Sequence, residues 1–151
     1  DWGAAERLRG YEEALKTEGL DLPDELVAFS QHQPLYGLLP RLMSHEPTAL
    51  FIAGEDIALE SAYILQAVLG VRIPEDVSVV GLENAKVSQF VTPTHTTLAQ
   101  PLDKMAGEAL RILLEQIESS SLDPIHVTLA NQLIERDSVQ TVGEAVSGRE
   151  T

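Results

Sequence analysis

Residues 47–81 read PTALFIAGEDIALESAYILQAVLGVRIPEDVSVVG, and this stretch decides the fold class. The continuous apolar runs at 49–53 and 77–81 are each typical of a strand that is covered on both faces. Residues 56–69 carry a broad apolar face, and Gly70 is typical of a helix end. A strand, a helix and a second strand in this space predict a βαβ unit with parallel strands and a right-handed crossover.

The sequence on both sides continues the alternation of helix and strand. Before the unit, it predicts helices over 4–18 and 34–44 with a strand at 26–29 between them. After it, the threonine-rich residues 92–97 predict an extended crossing segment, and Pro101 opens an amphipathic helix over 101–118. Residues 126–129 and 133–139 are further strand candidates. The predicted fold class is therefore α/β, with a doubly wound parallel sheet.

Composition excludes several classes of function. The 151 residues contain 10 Lys plus Arg and 24 Asp plus Glu, which gives a net charge of −14. Phosphate binding needs clustered basic residues, so this chain is a poor candidate for touching nucleic acid by itself. No cysteine is present for disulfides or thiolate metal sites, and we expect no membrane contact because no apolar run approaches the ~20 residues of a spanning helix. The chain begins with Asp1 and almost inside a helical pattern, so we expect a segment of a longer protein. It shows no secretory signal.

Polar residues follow the three predicted parallel strands. Ligands of open parallel sheets bind beyond the carboxyl ends of the strands, where this chain carries Ser30, then Glu55 with Asp56, then Glu83 with Asn84. Carboxylates and amides suit a hydroxyl-rich ligand. Asp56 is better explained as a helix cap. A turn residue is the alternative role for Asn84. For Glu55 and Glu83, an equally good alternative is that both are solvated loop residues.

Motifs for catalysis are missing from the sequence. Paired carboxylates could perform acid–base chemistry, but no nucleophile elbow, phosphate-binding loop or dinucleotide fingerprint accompanies them. The histidines lie far apart and show no metal-ligand spacing: His32, His45, His95 and His126. We therefore expect no enzymatic activity, no metal and no cofactor.

Four blocks in order resemble the effector-binding domain of the lac repressor/galactose repressor family. They are RLRGYEEAL at 7–15, PTALFIAGEDIAL at 47–59, IPEDVSVVGLEN at 73–84 and THTTLAQPL at 94–102. Each block is weakly specific alone, but the four at these spacings are highly specific. The resemblance runs from Arg7 to about Val139 and covers nearly the whole chain.

The resemblance implies the second lobe of a periplasmic-binding-protein-like fold. Residues 1–142 would be the carboxy-terminal part of the effector-binding domain, with 4–100 mostly in the second lobe and 125–139 as the return-strand region. The 101–118 helix would belong to the absent first lobe, so we expect its apolar face to pack on a partner chain or to be exchanged between chains. Residues 143–151 are expected to form a disordered tail.

The resemblance also implies the residues that contact the effector. Arg7 matches the expected effector-binding arginine, Glu55 takes the place of the usual Asn, and Glu83 that of the usual Asp. Gln100 lies where the crossing strand contacts ligand or hinge, and the strand-end residues Ser30 and Asn84 complete the candidate set. Pairing of Arg7 with either glutamate, merely to hold the cleft, is the alternative.

Two departures from the family pattern bear on the ligand. Glu55 places an anion where the family has an amide, and Leu82 replaces an aromatic residue. An ordinary sugar is therefore in doubt, and a ligand that carries an amine or another modification is a possible replacement.

The family further implies a homodimer. Leu59, Tyr63 and Phe90 are the candidates for an isologous contact, because the 56–69 helix is apolar beyond one stripe. The alternative is that this helix simply has a broad buried face.

The function favoured by the sequence is effector sensing in a cytoplasmic transcriptional repressor. A small sugar-like molecule would shift the population of lobe arrangements, and the dimer would relay this shift to operator DNA through an amino-terminal helix-turn-helix head. Two alternatives remain at this point. One is a periplasmic sugar-binding component of a transporter, and the other is a small α/β hydrolase that uses Glu55 and Glu83.

Overall fold

A computed structural model describes residues 2–31, 33–82, 86–119 and 123–141. Four α-helices and four strands alternate along these residues. In chain order they are α1 (Trp2–Thr17), α2 (Leu35–Met43), β1 (Ala49–Ala53), α3 (Glu55–Tyr63), β2 (Ser78–Leu82), β3 (Thr96–Ala99), α4 (Leu102–Ser119) and β4 (Gln132–Ile134). A 3₁₀ turn at Asp24–Leu26 precedes α2, and a π-helical turn at Ile64–Val68 continues α3.

The strands form one sheet in the order β1-β2-β3-β4. β1 and β2 are parallel, with Ala49 opposite Ser78 and Ala53 opposite Leu82, and β2 and β3 are also parallel. β4 returns antiparallel to β3. The predicted βαβ unit and the α/β class with a mostly parallel open sheet are confirmed.

Helices cover both faces of β1 because its side chains alternate. Ile52 belongs to the core that α2 and α3 form on one face, together with the fully buried Val79 of β2. On the other face, Phe51 stacks on Tyr11 of α1, with ring centroids 5.8 Å apart and an interplanar angle of 11°. The main core contains Leu35, Leu38, Leu39, Ile52, Ala58, Ile64, Leu65, Ile73, Val77 and Val79.

The predicted strand at 26–29 is wrong. Its first residue ends the 3₁₀ turn, in which Val27 N donates to Asp24 O. Residues 27–29 follow outside the sheet. The carbonyl oxygens of Glu25 and Val27 accept hydrogen bonds from the Arg41 guanidinium at 3.3 and 3.4 Å, so the α2 side chain takes acceptors that a strand would present to β1.

Two further expectations are corrected. Residues 126–129 are not a strand, since β3 has only four residues and β4 pairs with Thr97, Leu98 and Ala99 along its edge. Asp56 is not the cap of α3, because the helix already begins at Glu55 and Gly54 holds the capping position. The predicted tail at 143–151 lies outside the described residues.

Polar side chains lock the residues after β4 onto the sheet. The fully buried Ser138 hydroxyl donates to Val79 O at 2.5 Å and accepts from Thr96 N at 2.8 Å. Val79 N in turn donates to Ser138 O at 2.8 Å. One serine therefore ties the returning chain to both β2 and β3.

We expect Ser138→Ala to destabilise the fold by about 1–3 kcal/mol, because it removes the hydroxyl from two buried backbone groups. Urea unfolding of the variant and the wild type measures this difference. Ser44→Ala is the matched control, since the exposed Ser44 hydroxyl bonds only the neighbouring turn at Arg41 O. Equal stability of the two variants would contradict this role for Ser138.

The turn before β2 is closed by an exposed ion pair. The Arg72 guanidinium donates to both carboxylate oxygens of Asp76, whose Oδ2 also accepts from Arg72 N at 2.8 Å. These hydrogen bonds lower the pKa of Asp76 from its ordinary 3.8 to about 2. The ionised carboxylate is therefore the form that the folded state favours.

We expect Asp76→Asn to lower the Tm at neutral pH by a small amount, because exposed pairs contribute little. Because the pKa of Asp76 is lower in the folded state, its ionised carboxylate stabilises the fold at pH values above the unfolded pKa of 3.8. This contribution is lost as the pH falls through about 2. The Tm difference from wild type should therefore shrink between these pH values. A constant Asp76→Asn difference across the range would refute the assignment.

Candidate functional site

A cavity of about 360 Å³ lies along the free edge of β1. α1, the 26–31 segment, α2, β1 and α3 supply its walls, and most of its lining is apolar. Its polar lining includes the Arg7 side chain from α1 and Ser30 with Gln31 from the 26–31 segment. The structure therefore brings Arg7 and Ser30, two of the predicted effector residues, to one space.

Arg7 is available to a ligand at this cavity. Its side chain is exposed and makes no ion pair or hydrogen bond within the described part of the chain. Arg9, two residues on, differs: Glu6 and Glu13 each hold its guanidinium at 2.7 Å, and the hydrogen bond to Arg9 lowers the pKa of Glu6. The alternative pairing of Arg7 with Glu55 is thus not formed.

An aromatic pair that sequence reasoning missed also lines the cavity. Tyr11 lies one turn beyond Arg7 on α1, and it stacks on Phe51 in the middle of β1. The helical spacing between Arg7 and Tyr11 was a usable signal, because residues four apart share a helix face. The same spacing could not predict that Tyr11 packs on β1.

The parallel strands place other predicted residues at one edge of the sheet. Gly54 N donates to Leu82 O at 3.2 Å, so the ends of β1 and β2 are joined there. Glu55 is the half-buried first residue of α3, and Gln100 is exposed directly after β3. Neither lines the cavity, and the ends of β1 and β3 are roughly 10 Å apart because β2 separates them. Glu83 and Asn84 follow β2 but lie outside the described residues.

Gly54 sets where Glu55 begins its helix. Its φ of 140° is a conformation that other residues rarely adopt, and a Cβ there would lie 3.1 Å from Ile57 Cδ1. The turn from β1 into α3 therefore requires glycine. It directs the start of α3 toward the edge that carries the polar residues.

The predicted dimer residues differ in exposure. Leu59 is half-buried, whereas Tyr63 is 59% exposed and Phe90 is 81% exposed. Gln66, one turn after Tyr63, donates from Nε2 to Thr92 O at 2.8 Å, which holds the segment containing Phe90 beside this helix. Two exposed aromatic rings thus lie on neighbouring elements.

Two searches of the described residues were negative. No group of histidine and acidic side chains within 2–31, 33–82, 86–119 and 123–141 is arranged to hold a metal ion. In the same ranges, no helix combines the length and apolar character that a bilayer crossing requires.

The periplasmic binding protein-like domain model matches residues 1–139. The HTH-type transcriptional repressor PurR of Salmonella typhi is 32% identical over 139 residues, which cover 89% of this chain and 40% of the repressor. The chain thus spans well under half the length of this relative.

Solved structures of transcription regulators show the same fold. The regulator CelR in complex with cellobiose superimposes with a TM-score of 0.78 and 31% identity, over 89% of this chain and 42% of CelR. The Escherichia coli repressor AscG gives 0.77 and 27%, over 91% of this chain and 51% of AscG. The predicted family resemblance is confirmed, and the relatives named here are regulators and not enzymes, as expected.

We expect Gly54→Ala to destabilise the chain by about 1–3 kcal/mol, because alanine must adopt a strained φ and displace Ile57. Chemical denaturation gives the difference in the free energy of unfolding. Gly107→Ala is the control, because Gly107 lies in α4 with open space around it, and alanine there should be neutral or stabilising by about 0.5–1 kcal/mol. A Gly54→Ala variant as stable as Gly107→Ala would show that the turn does not require glycine.

Proposed function

Because this chain belongs to the periplasmic binding protein-like domain family and is related to LacI-family regulators, we propose that it is the effector-sensing segment of a transcriptional repressor. A small molecule binds in the cleft, and its binding shifts the balance between lobe arrangements. Operator DNA is bound elsewhere in the longer protein, through a helix-turn-helix head. Such a protein works in the cytoplasm.

The unpaired Arg7 at the mouth of a cavity with an aromatic wall is the observation that carries this proposal. A guanidinium donates several hydrogen bonds in a fixed geometry, which suits the hydroxyl or carboxylate oxygens of a small ligand. The Tyr11–Phe51 stack offers apolar surface to the ring of such a ligand. Ser30 adds a hydroxyl from the 26–31 segment.

The polar residues after β1 and β3 support a class of ligand. Glu55 and Gln100 face the same end of the parallel strands, and Glu83 and Asn84 follow the strand between them in sequence. Carboxylates accept hydrogen bonds from hydroxyls and ammonium groups. We therefore propose a hydroxyl-rich sugar-like effector, with an amino sugar as the form whose ammonium group would add a charge-assisted contact with the Glu55 carboxylate. The solved relative CelR is a cellobiose complex, which is consistent with this class.

The exposed apolar face of α4 supports a cleft between two lobes. No residue of this 18-residue helix is buried, and its large apolar side chains are about half exposed, namely Leu102, Met105, Leu110, Leu113, Leu114 and Ile117. Residues spaced in this way form one broad apolar face. We propose that α4 belongs to the first lobe, which completes the cleft from the other side. Dimerisation through Leu59, Tyr63 and Phe90 then relays the state of the cleft.

A thermal-shift panel tests effector binding. It uses cellobiose, glucose, ribose and glucosamine, because a ligand that binds only the folded state raises the Tm by mass action. For any sugar that binds, Arg7→Ala should weaken affinity about 10-fold to 100-fold, as expected for a lost charge-assisted hydrogen bond. Titration calorimetry measures the change.

Arg9→Ala is the matched control for this test. It removes the same side chain from the same helix, but from a guanidinium that Glu6 and Glu13 already hold. Affinity in this variant should stay within about twofold of wild type. Equal losses in both variants, or tight binding by Arg7→Ala, would remove Arg7 from the site.

A further inference from the structure

The segment between Ser88 and His95 is a loop with a buried base and an exposed apolar tip. His95 N donates to Ser88 O at 2.9 Å, which closes the base, and both residues are completely buried. Phe90, near the tip, is 81% exposed. We call this segment the 88–95 loop.

Arg136 bridges the two ends of the 88–95 loop. Its Nη1 atom donates to Ser88 Oγ at 2.6 Å and to His95 O at 2.7 Å. The backbone of Arg136 is itself fixed to the sheet, because Arg136 N donates to Thr96 Oγ1 at 2.9 Å. One half-buried guanidinium therefore joins the loop base to the chain that returns after β4.

Two further side chains hold the loop from its flanks. Thr94 Oγ1 donates to Asp137 Oδ2 at 2.7 Å, next to the Arg136 contacts. Gln66 Nε2 donates to Thr92 O at 2.8 Å and to Ala62 O at 3.2 Å, which joins the loop to the helical segment that presents Tyr63. The loop that carries Phe90 is therefore attached to two separate elements, one of which follows Tyr63.

We propose that Arg136 is a positioning residue for the contact between two copies of this chain. It does not touch the partner; it fixes the 88–95 loop so that Phe90 and Tyr63 form one apolar surface. The inference rests on the proposed function, of which the contact through Leu59, Tyr63 and Phe90 is a part. It adds that this contact depends on the docking of the residues after β4.

The physical reason is the cost of ordering a loop on binding. A loop whose ends are not bridged samples many conformations, and association must then pay for ordering it. Arg136 lowers this entropic cost, because it helps to order the loop before a second copy binds. Losing its donors therefore weakens dimerisation although no intermolecular contact is lost.

Sedimentation equilibrium of the whole chain measures this effect. Arg136→Met keeps the length and apolar stem of the side chain but removes its donors, and we expect the dimer Kd to rise roughly tenfold. Arg136→Lys keeps donors at the same place and should restore part of the affinity. Arg9→Met is the control, because that exposed arginine pairs with Glu6 and Glu13 on α1. It should dimerise like the wild type at a temperature where all variants remain folded.

A double-mutant cycle separates positioning from a general loss of stability. Phe90→Ala alone should weaken the dimer, and adding Arg136→Met should weaken it no further, because the loop then has no ring to position. Additive losses, a wild-type-like Arg136→Met dimer, or a wild-type chain that stays monomeric would each overturn the proposal. The sugar panel tests the proposed function separately. A chain that dimerises but binds none of the sugars would contradict effector sensing and not the role of Arg136. A chain that binds a sugar but stays monomeric would contradict the role of Arg136 and not effector sensing.

Discussion

The parallel pairing of β1, β2 and β3 is the constraint on which the rest of this structure depends. Parallel strands end at the same edge of a sheet, so the residues after each strand meet there whatever their separation in sequence. The register sets this edge: Ala53 lies opposite Leu82, and Gly54 N reaches Leu82 O. Glu55 after β1 and Gln100 after β3 owe their place to that alignment.

The segment that follows the antiparallel strand β4 is fixed to the sheet by polar contacts and not by apolar packing. Ser138 bonds the backbone of β2 and β3, and Arg136 bonds the 88–95 loop. Buried polar groups are costly when unsatisfied and specific when satisfied. This explains why a short strand of three residues, β4, suffices to place a much longer returning segment.

The sequence predicted the parts of the fold that depend on local periodicity. Continuous apolar runs correctly located β1 and β2, and the amphipathic repeat located α4 to within one residue at each end. The run at 26–29 has the same apolar character as β1, but it does not enter the sheet, and Arg41 bonds the carbonyl of Val27 within it and that of Glu25 just before it. Hydrophobic periodicity in the sequence does not reveal a competing hydrogen bond from a side chain that is distant in the sequence.

The candidate site was predictable only in part. Arg7 was proposed from the family resemblance and Ser30 from the end of a strand at 26–29 that does not form, yet both residues line one cavity. The contacts of Arg136 with Ser88 and His95 join residues more than forty positions apart. Only the fold brings such polar residues together, so no spacing in the sequence announces them.

The short strand β3 connects the two functional surfaces that these residues define. His95, at the base of the 88–95 loop, immediately precedes β3, and Gln100, at the edge of the candidate effector site, immediately follows it. Four strand residues span roughly 13 Å, so a rigid β3 cannot shift at one end without moving the other. Arg136 and Ser138 bond the same end of β3, at Thr96 and His95. In the proposed sensor, a ligand that displaced Gln100 would therefore act on the strand that leads to the 88–95 loop, through β3 and the segment that binds it.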